Sequence, residues 1–237
     1  MTNHISDISP GKAARIAGFA YLIIIISGIF AEFFVRSGLI VAGNATATAN
    51  NIINSESLFR IGIAGDLLMI VCDVVVALAF YVLLIQVNKS LALLAAFFRL
   101  AQAATLGINL LNLFFVLHIL SGADYLNVFG TDQLHALVLL FLKGHSTGYL
   151  IGLVFFGIHC LILGYLIFKS GFIPRILGVL LVFAAFGYLI DSFANFLLPN
   201  YADYERIFLL VVFVPAFIAE LSLCLWLILK GAKIDER

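Results

Sequence analysis

One arginine interrupts an otherwise apolar stretch of this chain. Arg99 lies in the middle of LALLAAFFRLAQAA, residues 91–104, and its guanidinium stays protonated under almost any condition. A charge inside a membrane-spanning segment costs about 2.5–3.5 kcal/mol on insertion scales, so such a residue is a candidate for a functional site. We therefore expect an acidic partner for Arg99 on another helix.

Several polar side chains fall at a similar depth when residues are counted at ~1.5 Å each from the boundary of their own apolar segment. Arg99 lies about 14 Å deep, and Glu220 and His159 lie about 15 Å deep on this count. Glu220 is the predicted counter-ion of Arg99, and Asp73, about 22 Å deep, is the alternative. Gln102 shares a helix face with Arg99. These five side chains form the predicted substrate or proton site.

The same residues also have a purely structural interpretation. A buried Arg–Glu pair can serve only to fix the register of two helices, often at a net cost in stability. Polar pairs in membranes also hold helices together, and His159 can be a hydrogen-bonded core histidine instead of a proton relay. Both interpretations stay open at the level of the sequence.

A second, looser acidic level lies toward the opposite boundary. It consists of Glu32, Asp66 and Asp191, with Asn195 one helical turn beyond Asp191. Carboxylates without a nearby base either stay protonated or face water, which favours a cavity open to the outer side. Alternatively, the acids lie near the interface and extend toward the headgroups.

Small residues repeat every fourth position at Gly144, Gly148 and Gly152. This spacing predicts a flat strip for close helix packing, either within the chain or against a second copy. The segment GHSTG also matches a serine nucleophile pattern, but that pattern needs a strand before it. Here an apolar helix precedes Ser146, so we expect no catalysis by this serine.

Composition decides the broad class of the protein. The 237 residues are 64% hydrophobic and 11% charged, with a mean hydropathy of +1.17. A soluble domain carries about twice that charged fraction, and a net charge of zero argues against nucleic-acid binding. The three cysteines lie in apolar runs without metal-ligand spacing, and we interpret them as small buried hydrophobic residues. No metal site or cofactor is predicted.

Six apolar segments, each long enough to be a membrane helix, divide the chain. They cover about 15–36, 59–86, 91–120, 145–169, 175–198 and 207–230. Backbone groups need internal hydrogen bonds in hydrocarbon, so the sequence predicts one all-α domain, residues 1–237, that forms a six-helix transmembrane bundle. A short interfacial helix of about a dozen residues is predicted from Thr131, between the third and fourth spans. Residues 37–57 are expected to form a loop or a short surface helix.

The bias of lysine and arginine predicts the orientation. Most basic residues fall on the side of both termini, so tails 1–14 and 231–237 are expected in the cytoplasm. The first apolar run is too long for a signal peptide, and no internal repeat supports an inverted-repeat transporter.

Four phrases resemble a bacterial family of polytopic membrane proteins catalogued as domain of unknown function 4386. They are ESLFRIGIAGDLL, AAFFRLAQA, FFGIHCLILGYLIFKSGFIPRILGVLL and VPAFIAELSLCLWLILKG, which start at residues 56, 95, 155 and 214. The resemblance covers nearly the whole chain, and the SGFIPRILG junction is its most specific part. It implies a multi-pass protein of the bacterial inner membrane, and it implies no activity, cofactor or catalytic residue.

Three classes of function follow from these observations. The first is a small carrier or permease for a proton, ion or small molecule, with Arg99, Glu220, Asp73 and His159 at a site near the midplane. The second is an accessory or sensor subunit whose buried charges only specify packing. The third, less favoured, is an intramembrane enzyme that uses the outer carboxylates. The expected partners are the lipid bilayer, an unidentified small ligand or ion and a possible second copy of the chain.

Overall fold

The computed structural model describes residues 9–231, and within that range the chain forms helices and no strand. The main helices are α1 (Pro10–Leu39), α2 (Ala45–Asn54), α3 (Glu56–Leu84), α4 (Lys89–Ile119), α5 (Thr131–Ser170), α6 (Arg175–Leu197) and α7 (Val214–Leu229). Short 3₁₀ turns at Asp124–Leu126 and Tyr201–Asp203 lie in the connections before α5 and α7. The predicted all-α class is confirmed for this part of the chain. The outer parts of the predicted tails, residues 1–8 and 232–237, lie outside the described residues.

Five helices are long and apolar enough to cross a membrane: α1, α3, α4, α5 and α6. The protein is therefore a multi-pass membrane-type helical protein. The last predicted segment contains α7, which has only 16 residues. Helix Glu205–Phe208 and the π-helical segment Leu209–Phe213 lead directly into it.

Local sequence signals explain where the helices begin and end. Ser9 caps α1 and is followed by Pro10, a residue whose fixed φ suits the first helical turn. The Asn88 side chain accepts a hydrogen bond from the amide of Leu91 at 3.0 Å and thereby caps α4. α5 ends at Gly171, whose φ of 76° is readily adopted only by glycine.

Six of these helices form a closed ring. α1 packs against α3, α3 against α4, α4 against α5, α5 against α6 and α6 against α7, and α7 closes the ring against α1. All six contribute to one apolar core, with buried members that include Tyr21, Val76, Ala92, Leu163, Leu181 and Leu223. Neighbours in sequence are thus neighbours in space, and the ring brings residues from every helix toward one centre.

The short interfacial helix is a wrong prediction. The helix that begins at Thr131 continues without a break to Ser170 over 40 residues. A polar stretch around Gly144 had suggested a boundary, but a single glycine costs a helix only about 1 kcal/mol. The hydroxyl groups of Ser146 and Thr147 donate to the carbonyls of residues 142 and 143 within the same helix, so this polar segment is satisfied without leaving the helical path.

Residues 37–57 contain the surface helix that was one of the two expectations. Its N-cap is Asn44, whose side chain accepts from the amide of Ala47 at 2.9 Å. This helix, α2, packs against α5, and Thr46 lies 3.3 Å from the Nδ1 atom of His135. The beginning of α5 is therefore held by α2, which explains why it does not form a separate interfacial element.

Candidate functional site

The ring brings one set of polar and aromatic side chains together, and every ring helix contributes to it. We call this set the central cluster: Tyr21 of α1, Asp73 of α3, Arg99 and Gln102 of α4, Phe156 and His159 of α5, Tyr188 of α6 and Glu220 of α7. It contains all five residues of the predicted site. Sequence reasoning missed its three aromatic members, because tyrosine and phenylalanine are unremarkable in apolar helices.

Arg99 is the centre of the cluster. Its side chain is 0% exposed, and its Nη2 atom lies 2.7 Å from Oδ1 of Asp73. The guanidinium carbon lies 5.0 Å from the ring centre of Tyr21 and 5.3 Å from that of Phe156. Cation–π attraction therefore adds to the ion pair in stabilising a charge that has no access to water.

His159 has its proton position fixed by two contacts. Its Nδ1 atom lies 2.8 Å from the carbonyl oxygen of Ala95, which can only accept a hydrogen bond. Its Nε2 atom lies 3.2 Å from Nη1 of Arg99, which can only donate one. Both bonds form together only in the neutral tautomer that carries its proton on Nδ1, so His159 is an acceptor for Arg99.

The prediction that Glu220 is the direct counter-ion of Arg99 is wrong, and Asp73 takes that place. The carboxylate of Glu220 instead accepts hydrogen bonds from two tyrosine hydroxyls. Tyr21 donates to Oε2 over 3.0 Å, and Tyr188 donates to Oε1. Glu220 thus belongs to the cluster but is joined to Arg99 through Tyr21.

The error came from the depth assigned to Asp73. The sequence count included residues 85–88 as helix, whereas α3 ends at Leu84. Counted from that end, Asp73 lies about 16 Å deep, and Arg99 lies about 15 Å from Lys89 at the start of α4. The two residues are therefore at one level on adjacent antiparallel helices.

Charge in the cluster does not balance unless a proton is present. One guanidinium faces two carboxyl groups, those of Asp73 and Glu220, while His159 is neutral. An uncompensated charge in a low-dielectric interior is costly. A single proton on either carboxyl group makes the set neutral, so the central cluster has the composition of a one-proton site.

The cluster also retains unused hydrogen-bonding capacity. Buried Nε of Arg99 and Oε1 of Gln102 have no hydrogen-bond partner among the described residues. The amide of Gln102 donates to Oδ2 of Asp73 over 3.3 Å. The 2.7 Å ion contact between Asp73 and Arg99 is not aligned as a hydrogen bond. Buried polar groups are normally satisfied, so these unpartnered atoms mark the central cluster as a candidate contact for a small polar ligand or water.

The outer acids are not a single cluster, and two of them have a base. Nε of Arg36 lies 2.7 Å from Glu32, and its Nη1 and Nη2 atoms lie 2.5 and 3.3 Å from the two oxygens of Asp66. Arg36 is buried, and a π-helical segment of α1, Phe30–Arg36, carries it. The expectation that these carboxylates lack a base is therefore wrong. The i,i+4 spacing of Glu32 and Arg36 was the available signal.

Asp191 and Asn195 lie elsewhere on α6. Asp191 accepts a hydrogen bond from the hydroxyl of Tyr201 over 2.6 Å. Among residues 9–231, no hydrogen bond or ion pair joins Asp191 or Asn195 to Glu32 or Asp66. The inference of an outer cavity formed by three unpaired carboxylates thus loses its basis.

The glycine strip of α5 faces α4 within the same chain. A Cβ atom placed on Gly148 would lie 2.1 Å from Oδ1 of Asn109, and one on Gly152 would lie 2.8 Å from Leu106. A Cβ atom on Gly144 would lie 3.0 Å from Oδ1 of Asn112. The absence of a side chain at Gly148 leaves room for Asn109 to donate to the carbonyl of His145 over 2.8 Å. The strip therefore supports an intramolecular contact beside the central cluster.

The remaining chemical candidates are a metal site and the cysteines. The described residues contain no group of three His, Cys, Asp or Glu side chains placed to hold a metal ion. The three cysteines are buried and unpaired, as the sequence predicted.

A ring of apolar helices around a buried polar cluster defines a multi-pass membrane protein with an internal polar site. The chain belongs to the family described as domain of unknown function (DUF4386), whose sequence model matches residues 16–231. It is also similar to an uncharacterised protein of Archaeoglobus fulgidus, with 33% identity over 174 residues, which is 73% of this chain and 86% of that protein. This relative is archaeal, so family membership does not assign a bacterial source. No solved structure matches the chain.

Proposed function

We propose that this protein is a small carrier of the inner (cytoplasmic) membrane that moves a proton together with a small anionic solute. In this proposal α7 and the helical residues before it form a sixth span, and both termini lie in the cytoplasm. The observation that carries the proposal is the central cluster, in which six helices converge on one arginine, two carboxyl groups and unused polar atoms.

A carrier needs a site that several mobile elements share. Each ring helix supplies one or two residues of the central cluster, so a change in the packing of any one helix alters the site. A contact that forms only when a carboxyl group has lost its proton couples such a change to protonation. Asp73 is that contact, because its pairing with Arg99 depends on its negative charge.

The coupling follows from the geometry. A proton that binds the Asp73 carboxylate removes its charge and weakens the 2.7 Å ion pair. The guanidinium of Arg99 then has free N–H groups, including Nε, with which to bind an anion. Loss of the proton from Asp73 restores the ion pair and displaces the anion. The tyrosine-bound carboxyl group of Glu220 holds the proton that keeps the anion-free cluster neutral. The proton on Asp73 is therefore a second one, which enters with the anion and keeps the anion-bound cluster neutral.

Flux measurements in liposomes test the proposal. The purified protein is reconstituted with an entrapped pH-sensitive dye, a pH gradient is imposed, and phosphate, sulfate and succinate are added in turn as probe anions. We expect proton flux well above that of empty liposomes, and stimulation by at least one of these anions. E220Q and D73N should each lower the flux at least tenfold.

The matched control is E56Q, because Glu56 forms an exposed pair with Arg60 at 2.6 Å, away from the cluster. This variant should transport at the wild-type rate. Flux equal to that of empty liposomes, or equal in wild type, E220Q and D73N, contradicts the carrier proposal.

A packing role is the second candidate, and one observation favours it. Arg99 and Asp73 are 0% and 1% exposed and lie among aromatic rings, as expected for a pair that fixes helix register. Under this role the protein is an accessory or sensor subunit. The double variant R99L/D73L would then fold and keep its cellular function, whereas under the carrier proposal it folds without transport.

A further inference from the structure

Two cavities share Tyr165 in their lining, and no residue of the central cluster lines either one. The first, which we call the apolar groove, has a volume of about 670 Å³ and is lined by Leu91, Leu161, Ile162, Gly164, Tyr165, Phe168, Gly178, Val179, Val182, Phe183 and Phe186. The second, which we call the polar pocket, has a volume of about 560 Å³ and is lined by Gln86, Val87, Asn88, Tyr165, Lys169, Ser170 and Phe172. Tyr165 lines both, so the two adjoin at this residue.

The apolar groove follows the crossing of α5 and α6. The helices approach so closely that a Cβ atom on Gly164 would lie 2.6 Å from the carbonyl oxygen of Gly178. Larger side chains stand on both sides of this crossing, and Phe168 and Phe183 are exposed. The result is a channel with a glycine floor and aromatic walls, and its lining carries almost no polar surface.

The polar pocket lies where the groove reaches the end of α5 and the start of α6. Lys169 is the penultimate residue of α5, and Arg175 is the first residue of α6. The guanidinium of Arg175 lies 5.6 Å from the ring centre of Phe168, which lines the groove. Among the side chains that the structure describes, no ion pair neutralises Lys169 or Arg175. Two free positive charges therefore flank the mouth of an apolar channel.

The direction of the groove matches the direction of a lipid in a bilayer. From Lys169 the groove runs back along α5 to Leu161, about 12 Å toward the middle of the helix. A basic group at the membrane surface with an apolar channel leading inward is complementary to a phosphate headgroup with a long apolar chain. A soluble peptide does not fit, because the groove wall belongs to helices that are long and apolar enough to cross a membrane.

We propose that this composite site binds one anionic phospholipid, with an apolar chain in the groove and the phosphate between Lys169 and Arg175. The groove volume lies within the range of ligand sites in proteins. Tyr165 lines both cavities, and tyrosine is typical of the level of the headgroups in membrane proteins. The site is independent of the carrier proposal, since it shares no residue with the central cluster.

Lipid competition on the wild-type protein gives the first test. The detergent-purified chain is placed in nanodiscs of phosphatidylcholine with a small fraction of phosphatidylglycerol, and bound lipid is counted by native mass spectrometry. We expect one phosphatidylglycerol to be retained in preference to phosphatidylcholine. Equal retention of the two lipids overturns the proposal. Displacement of the lipid by glycerol phosphate, which has no apolar chain, also overturns it.

Paired variants give the second test. K169Q should weaken phosphatidylglycerol retention about fivefold, as expected for one lysine near an anionic headgroup, whereas K12Q, an exposed lysine on α1, should not. V179W should fill the groove and abolish retention, whereas I176W, on an exposed position of the same helix, should preserve it. Unchanged thermal stability shows that these variants fold.

Two results would overturn the site even if lipid is retained. One is equal weakening by each variant and its control, which means that lipid binds without regard to the groove. The other is cross-linking of V179C to a second copy of the chain, which means that a protein helix occupies the groove instead.

Discussion

Arg99 and Asp73 form an ion pair in which both side chains are almost completely buried, with 2.7 Å between Nη2 and Oδ1. The pair joins α3 to α4 at the centre of a six-helix ring. Removing one partner from a buried pair leaves an uncompensated charge, whereas replacing both by apolar residues can be neutral or stabilising.

For this pair we expect strong non-additivity. R99L and D73L alone should each lower the free energy of unfolding by about 3–5 kcal/mol, and R99L/D73L should lower it by much less than their sum. Unfolding by SDS in mixed micelles measures these values. Additive losses would mean that the two charges do not stabilise each other.

The outer ion pair of Arg36 gives a similar prediction with a control in the same chain. R36Q removes the only basic group that pairs with buried Asp66 among the described residues and should cost several kcal/mol. R60Q removes an exposed i,i+4 pair with Glu56 and should change stability by less than about 1 kcal/mol. Equal effects of R36Q and R60Q, measured by SDS unfolding, would contradict the buried position of Arg36.

Gly148 should not tolerate a methyl group. G148A would place Cβ 2.1 Å from Oδ1 of Asn109, and the resulting shift should cost about 1–3 kcal/mol. G107A is the control on α4, because nothing lies within 4 Å of a Cβ there, and it should be neutral or stabilising by up to about 1 kcal/mol. The thermal midpoint in detergent measures both changes.

A second substitution should relieve the clash at Gly148. In G148A/N109A the shortened side chain leaves space for the new methyl group, so the double variant should be more stable than the sum of the two single changes indicates. Simple additivity would mean that Asn109 does not cover Gly148.

The proton position on His159 can be observed directly. The contacts with Ala95 and Arg99 require a neutral imidazole with its proton on Nδ1. Nitrogen NMR of protein labelled at histidine, with H159N to assign the signal, should show a protonated Nδ1 and an unprotonated Nε2. A proton on Nε2 would contradict the hydrogen bond from Arg99.

The membrane-type helices could be predicted from the sequence because they depend on the length and composition of each segment. Five of the six predicted apolar segments are helices that are long and apolar enough to span a membrane in the structure. The depth rule also selected Arg99, His159 and Glu220, since rise per residue is constant along a helix. Gln102 was selected because it shares a helix face with Arg99.

The sequence did not show in which direction each side chain points around its helix axis, or where each helix ends. Glu220 has the right depth for Arg99, but its carboxylate lies beside Tyr21 and Tyr188, and depth alone cannot distinguish two such arrangements. The depth of Asp73 was overestimated because α3 ends at Leu84. Arg36 was not recognised as the base for Asp66, since that pair joins residues far apart in sequence.

The claim on which the carrier proposal depends is that a carboxyl group of the central cluster holds an exchangeable proton. Infrared difference spectroscopy of the protein in membranes, recorded between acidic and alkaline buffer, measures it through the C=O band of a protonated buried carboxyl group. We expect such a band in wild type and E56Q, and its loss or shift in E220Q and D73N. Absence of the band in wild type, or an unchanged band in both cluster variants, would contradict the claim.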